Sequence, residues 1–208
     1  MHLYGLILGI SLLIGFNYFL RYNTIVPKPK ENIFIFGLII FSLLCARLYH
    51  VIDYWPYYST DLPQILHTWN GGLGIFGGLI FGLVFILIFA KIYHLSSIKI
   101  LNTSITIIPL CQSIGRLANF FNHEIPTWWL ESLGCFFIFL ILIKFPKHPT
   151  AKYLIAYGLL RFFLEFLRPD TWQISEFKIA QIISLLFVLS GLILLRYQPS
   201  ANRSSPPQ

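Results

Sequence analysis

Seven stretches of this chain are apolar for about the length needed to cross a bilayer. They run over about 3–20, 32–50, 72–93, 100–121, 129–145, 151–168 and 178–196, and a spanning helix needs roughly 20 mostly apolar residues. The fourth and sixth carry more polar residues than the rest. The pattern predicts an all-α integral membrane protein, one seven-helix domain over 1–196 with short loops. The first stretch begins almost at Met1, with no charged lead and no small-residue cleavage site, so it predicts a retained helix. The tail over 197–208 is polar and rich in Pro and Ser, which predicts a disordered segment.

Composition narrows the class further. Hydrophobic residues are 56% of the 208 and charged residues 11%, with mean hydropathy +0.71. A soluble domain carries about 25% charge, so this chain cannot cover a water-facing surface. The net charge of +7 does not indicate nucleic acid, because the basic residues stand singly between apolar runs and form no face. Their distribution sets orientation instead. Arg21, Lys28, Lys30, Lys91, Lys99, Lys144, Lys147, Lys152, Arg196 and Arg203 fall on one side, ten of the fifteen Lys and Arg. The opposite loops hold Asp53, Asp61, Glu124, Asp170 and Glu176, with Arg168 and Lys178. The positive-inside rule then predicts an outside N-terminus and a cytoplasmic C-terminus, as an odd helix count requires. Cys45, Cys111 and Cys135 each sit inside an apolar run and follow no metal spacing. They are expected to be small buried hydrophobes.

The chemistry is expected where a membrane tolerates charge least. An ionisable side chain inside a spanning helix costs several kcal/mol unless it is paired or solvated. Arg47, Arg116, Arg161 and Arg168 cannot all be placed in loops, and Glu131 and Glu165 also lie within apolar runs. In the sixth stretch Tyr157, Arg161, Glu165 and Arg168 are spaced four, four and three. They fall within about 80° of one another around a helix, a polar stripe that must face the bundle interior or a wet cavity. Arg161 and Glu165 at i, i+4 can also simply neutralise each other. At the end of the fourth stretch Arg116, Asn119 and Asn122 recur every three residues. A guanidinium with two carboxamides suits a phosphate ester, and it equally suits an interhelical hydrogen-bond cluster. In the third stretch Gly74, Gly78 and Gly82 are four apart, the small-residue pattern of close helix packing. Gly71, Gly72 and Gly77 lie off that stripe and predict a backbone approached closely by another segment or a ligand. Together these residues describe a cationic, glycine-lined intramembrane site near the outer leaflet, suited to an anionic phospholipid headgroup. An enzyme acting on lipids, a lipid transporter and a channel all remain open from the residues themselves.

The order of these motifs resembles the prolipoprotein diacylglyceryl transferases of bacterial inner membranes. Tyr4-Gly5-Leu6 is similar to the family's YGL, and Ala46-Arg47-Leu48-Tyr49 to its ARLxY. The segment from Trp69 to Gly78 resembles W-x-GG-x-x-x-HGG. Gly115-Arg116-Leu117-Ala118-Asn119-Phe120-Phe121-Asn122-His123-Glu124 resembles the signature GRxGNFxNxE, the most specific piece. Pro126-Thr127 through Leu130-Glu131 resembles HPTxLYE, and Tyr157 through Asp170 resembles YGxxRFxxEFxRxPD. The resemblance implies an enzyme that moves the diacylglyceryl group of phosphatidylglycerol to the lipobox cysteine of a prolipoprotein signal peptide. A thioether forms and glycerol phosphate leaves.

It also implies roles. Arg116 with Asn119 is expected to hold the headgroup phosphate, and Arg161 to activate it, with Glu124 completing the catalytic set. Asn122, Tyr4, Tyr157, Gly77, Gly78, Arg47, Arg168 and Glu165 are expected around the phospholipid, Glu165 orienting an arginine. Neither cofactor nor metal is expected, because positioning and cationic stabilisation can carry the step. A monomer in the cytoplasmic membrane, its site toward the outer leaflet, is implied. The chain departs from the pattern at three places. Phe76 stands at the histidine of HGG and cannot accept a proton, leaving His123 and Glu124 as candidate bases. Only Ile125 separates Glu124 from Pro126, where relatives carry a longer segment. Ala118 replaces a signature glycine. These departures keep open an alternative, a non-catalytic phospholipid-binding or lipid-moving protein on the same scaffold.

Overall fold

The computed structural model describes residues 2–67, 72–122, 127–167, 173–174 and 177–197, with the backbone alone at 2–4, 75, 76, 122, 173, 174 and 177. The tail beyond 197 lies outside the described residues. Seven long helices fall on the seven apolar stretches: α1 (His2–Tyr22), α2 (Lys28–Asp53), α4 (Ile75–Ile92), α5 (Ser97–Asn122), α6 (Trp128–Lys144), α7 (Pro149–Phe166) and α8 (Ile179–Tyr197). A one-turn helix α3 (Trp55–Tyr58) and a 3-10 turn (Leu62–Leu66) sit between α2 and α4. The all-α class expected from the sequence is the observed one. The β pairing among the described residues is a two-residue hairpin, β1 (Gln173–Ile174) against β2 (Phe177–Lys178). Among the described residues, three helical segments are long and apolar enough to cross a membrane: Gly5–Tyr22, Lys28–Asp53 and Ile179–Tyr197.

The start of α4 differs from expectation. The third stretch was expected to be helical from 72, but α4 starts at Ile75. Glycine is a poor helix former. Gly72 has φ +76°, a left-handed conformation, and Gly74 is extended.

The described chain divides into two compact units, Met1–Tyr22 with Asn102–Gln208, and Asn23–Leu101. In the second, α2 and α4 pack through glycine and phenylalanine. A β-carbon at Gly77 would stand 2.7 Å from the Cys45 carbonyl oxygen, and one at Gly82 2.9 Å from Ser42 Oγ. Above them Phe34, Phe41, Phe85 and Phe89 interleave with ring centroids 5.0–6.1 Å apart. Gly37 makes room for the Phe85 ring. Helices that cannot gain from hydrophobic burial in lipid associate through such close backbone contact.

In the first unit, α7 and α8 meet in the same way. A β-carbon at Gly158 would lie 2.8 Å from the Ser184 carbonyl oxygen, and one at Gly191 2.8 Å from that of Ala151. Ile138 and Leu142 of α6 and Tyr153 of α7 form a buried cluster, with Ile105 and Ile108 of α5 packed on it. Polar glue joins further pairs. Ser11 Oγ donates to the Cys111 carbonyl at 2.8 Å, tying α1 to α5, and Ser132 Oγ donates to the Ser113 carbonyl at 2.9 Å, tying α6 to α5. α5 carries Pro109 in its interior, where a helix loses one backbone hydrogen bond.

Candidate functional site

Charge converges inside the first unit. Glu131 lies in the first turn of α6, where the helix dipole favours an anion, and is 1% exposed. Arg116, from the last turns of α5, donates through Nη2 to Glu131 Oε1 at 2.7 Å. Arg161, midway along α7, brings Nη1 to 3.8 Å from Glu131 Oε2. Its Nη2 stands 3.1 Å from Oε2 of the wholly buried Glu165. The Tyr157 hydroxyl donates to Glu131 Oε1 at 3.4 Å, and its ring stacks on Tyr153 at 5.4 Å. Three helices therefore place two guanidiniums against the two oxygens of one carboxylate.

The α7 stripe read from the sequence explains half of this. Residues 157, 161 and 165 share a face because helical neighbours recur every three or four positions. The Arg161–Glu165 pairing is present, yet it does not use up Arg161. The guanidinium nitrogen Nη1 is buried without a hydrogen-bond partner, and both Glu165 carboxylate oxygens are in the same state. Buried polar atoms are normally hydrogen-bonded. The cluster is thus paired by charge while Arg161 Nη1 keeps unused donor capacity. Asn119, one turn beyond Arg116, is buried at 5%. Lys178, given no role from the sequence, donates to the Glu165 carbonyl at 2.6 Å and so secures the end of α7.

Glu131 is the residue that sequence reasoning underweighted. The sequence marks it as an acid within an apolar run but names no partner for it. The signal was available, since a buried acid in a spanning helix must find a cation.

Other expected site residues lie elsewhere. Arg47, 7% exposed in the second unit, donates through Nε to the Ile65 carbonyl at 2.9 Å. Its Nη1 donates to Gly72 at 2.8 Å, and its Nη2 to Gln64 at 2.6 Å and His67 at 3.4 Å. Its guanidinium also lies over the Tyr58 ring at 5.1 Å. These bonds hold the segment between α2 and α4. A pocket beside it of about 210 Å³ is lined by His50, Tyr57 and His67 among others. Gly77 and Gly78 sit at the α2–α4 contact, facing Cys45, Ala46 and Ser42. Glu124 and Arg168 lie outside the described residues, as do His123 and the side chains of Tyr4, Phe76 and Asn122. Among the described residues no three His, Cys, Asp or Glu side chains converge as metal ligands would.

Comparison with known proteins gives a consistent result. The family model for prolipoprotein diacylglyceryl transferase matches residues 1–197. The chain is 31% identical to a phosphatidylglycerol–prolipoprotein diacylglyceryl transferase of Clostridioides difficile (strain 630), over 97% of this chain and 92% of the relative. It is 32% identical to the same-named protein of Staphylococcus haemolyticus (strain JCSC1435), over 98% of this chain and 88% of the relative.

Proposed function

The chain belongs to the prolipoprotein diacylglyceryl transferase family, and from that premise we propose how it acts. It is a transferase. It takes the diacylglyceryl group from phosphatidylglycerol and joins it to the lipobox cysteine thiol of a prolipoprotein signal peptide. The thiolate is the attacking form, the new bond is a thioether, and glycerol phosphate departs. Seven helices cross the bacterial cytoplasmic membrane with the N-terminus outside, and the site opens toward the outer leaflet. The one-sided distribution of Lys and Arg supports that orientation. The enzyme works as a monomer.

The observation that carries this reading is the meeting of Arg116 and Arg161 at one carboxylate. Two guanidiniums from separate helices form a bidentate anchor suited to a phosphodiester. They are fixed before the reaction and face the oxygens on which charge develops as glycerol phosphate leaves, which is where preorganised donors lower a barrier most. Asn119 adds a carboxamide beside Arg116, and Tyr157 a hydroxyl. Glu165 orients Arg161 by pairing with it. Asn122, Glu124, Tyr4 and Arg168 complete the phospholipid surroundings.

A bacterial strain depleted of its own transferase provides the test. Expression of this chain restores growth and adds a diacylglyceryl mass to a model lipoprotein. Phosphatidylglycerol binding with no mass gain would instead favour the non-catalytic reading, which the aromatic residue at position 76 motivates.

A further inference from the structure

A thiol must lose a proton to attack, and position 76 carries a phenylalanine that cannot take it. We propose that Glu131, reached through the Tyr157 hydroxyl, is the proton acceptor of the transfer, released for that role when the substrate phosphate takes over its arginines. The proposal rests on the transferase reading above.

The geometry motivates it in three ways. Glu131 occupies the place an anion would fill, with Arg116 at one oxygen and Arg161 at the other. Both arginine side chains remain partly exposed, at 26% and 20%, while Glu131 is at 1%. An arriving phosphate thus meets the arginines first and exchanges places with the carboxylate. A buried carboxylate that loses its cations carries a large uncompensated cost, and gaining a proton removes it. Tyr157 is half-buried and donates to Glu131 Oε1 at 3.4 Å. Such bonds are commonly long before substrate binds.

Charge and atoms balance. Arg116, Arg161, Glu131 and Glu165 sum to zero at rest. The phosphodiester brings one negative charge, so the occupied cluster carries one. In the transfer Tyr157 passes its hydroxyl proton to Glu131 and receives the thiol proton. The sulfur forms its bond to the glyceryl carbon as the bond from that carbon to the phosphate oxygen breaks, and the electron pair leaves with the oxygen. The departing glycerol phosphate is close to a dianion at neutral pH. With Glu131 now neutral, the cluster still carries one negative charge. Were Glu131 unable to take the proton, a second buried negative charge would accumulate.

The test uses the full chain in lipid nanodiscs with phosphatidylglycerol and a lipobox peptide. Glycerol phosphate release gives kcat, and equilibrium binding of labelled phosphatidylglycerol is measured separately. The native protein must release glycerol phosphate; if it does not, the transferase reading fails and this inference falls with it. Given native activity, Glu131→Gln lowers kcat by about 10²–10⁴-fold, the span of general-base catalysis. It leaves phosphatidylglycerol binding equal or tighter, because the phosphate no longer competes with a carboxylate. Tyr157→Phe lowers kcat in the same way and by far more than it weakens phosphatidylglycerol binding, and it decides the matter should the glutamine variant fail to fold. Glu131→Asp recovers part of the kcat lost in Glu131→Gln. A Glu131→Gln or Tyr157→Phe variant within tenfold of native kcat overturns the proposal. So does a loss of phosphatidylglycerol binding that matches the loss of activity.

Discussion

Arg47→Met tests whether this guanidinium clamps the backbone it bonds. Methionine keeps most of the stem volume and removes the guanidinium. Three short bonds, to the carbonyls of Gln64, Ile65 and Gly72 at 2.6, 2.9 and 2.8 Å, are lost. At about 1.5 kcal/mol each, the low end for a bond to a charged group, they sum to about 4.5 kcal/mol. Arginine no longer has to be ordered, which returns about 2 kcal/mol. The net loss is about 2.5 kcal/mol, which at about 1.4 kcal/mol per decade is roughly a 60-fold rise in local opening. The amides that report it are those of Gln64 and His67, bonded to the Asp61 and Gln64 carbonyls, and that of Gly74, bonded to Ala46. Hydrogen exchange read by mass spectrometry in detergent resolves this segment from α2 and α4. Loss of protection confined to 62–67 and 72–74 is the expected outcome, since opening is local where a single contact set is removed. Protection within threefold of native would refute the clamp. A loss spread evenly through α2 and α4 would also refute it, because it would mean that Arg47 sustains the helix pair itself.

Three further outcomes follow from packing and local bonding. Gly158→Ala pushes a methyl against the Ser184 carbonyl and Val188, and overpacking of this kind costs about 1–3 kcal/mol; a clear drop in the melting temperature in detergent is expected. Ser132→Ala removes the buried bond to the Ser113 carbonyl and costs only about 0.6 kcal/mol, the average for interhelical bonds in membranes, so melting should move little. Lys178→Met removes the cation at the end of α7, worth about 0.3–1 kcal/mol, and should increase amide exchange in the last turn of α7 while leaving α8 unchanged.

Much of this architecture is legible in the sequence because apolar length is a strong signal. Each of the seven helices starts and ends within a few residues of the stretch that predicted it. The exceptions have local causes. Glycines 72 and 74 interrupt a run that hydrophobicity alone extends, and α7 stops at Phe166 before Arg168. The turn at Trp55–Tyr58 and the 3-10 turn after it are too short for any periodic pattern. In the candidate site, the α7 stripe is legible because helical spacing fixes which residues share a face. The meeting of Arg116 with Glu131 is not, since 15 residues and a helix reversal separate them. Arg47 illustrates the same limit. Its charge is conspicuous in the sequence, but its partners are main-chain carbonyls, which no side-chain pattern encodes.

In the proposed reaction Arg116 and Arg161 hold the phosphate that leaves during transfer. Purified protein in phosphatidylglycerol vesicles, given a lipobox peptide, should release glycerol phosphate and form thioether-linked peptide in equal amounts. Removal of one such donor typically costs about 10²–10³-fold, so Arg116→Ala and Arg161→Ala should each slow both products together by at least that factor. Equal product formation by either alanine variant and the native protein would show that its arginine does not hold the leaving phosphate.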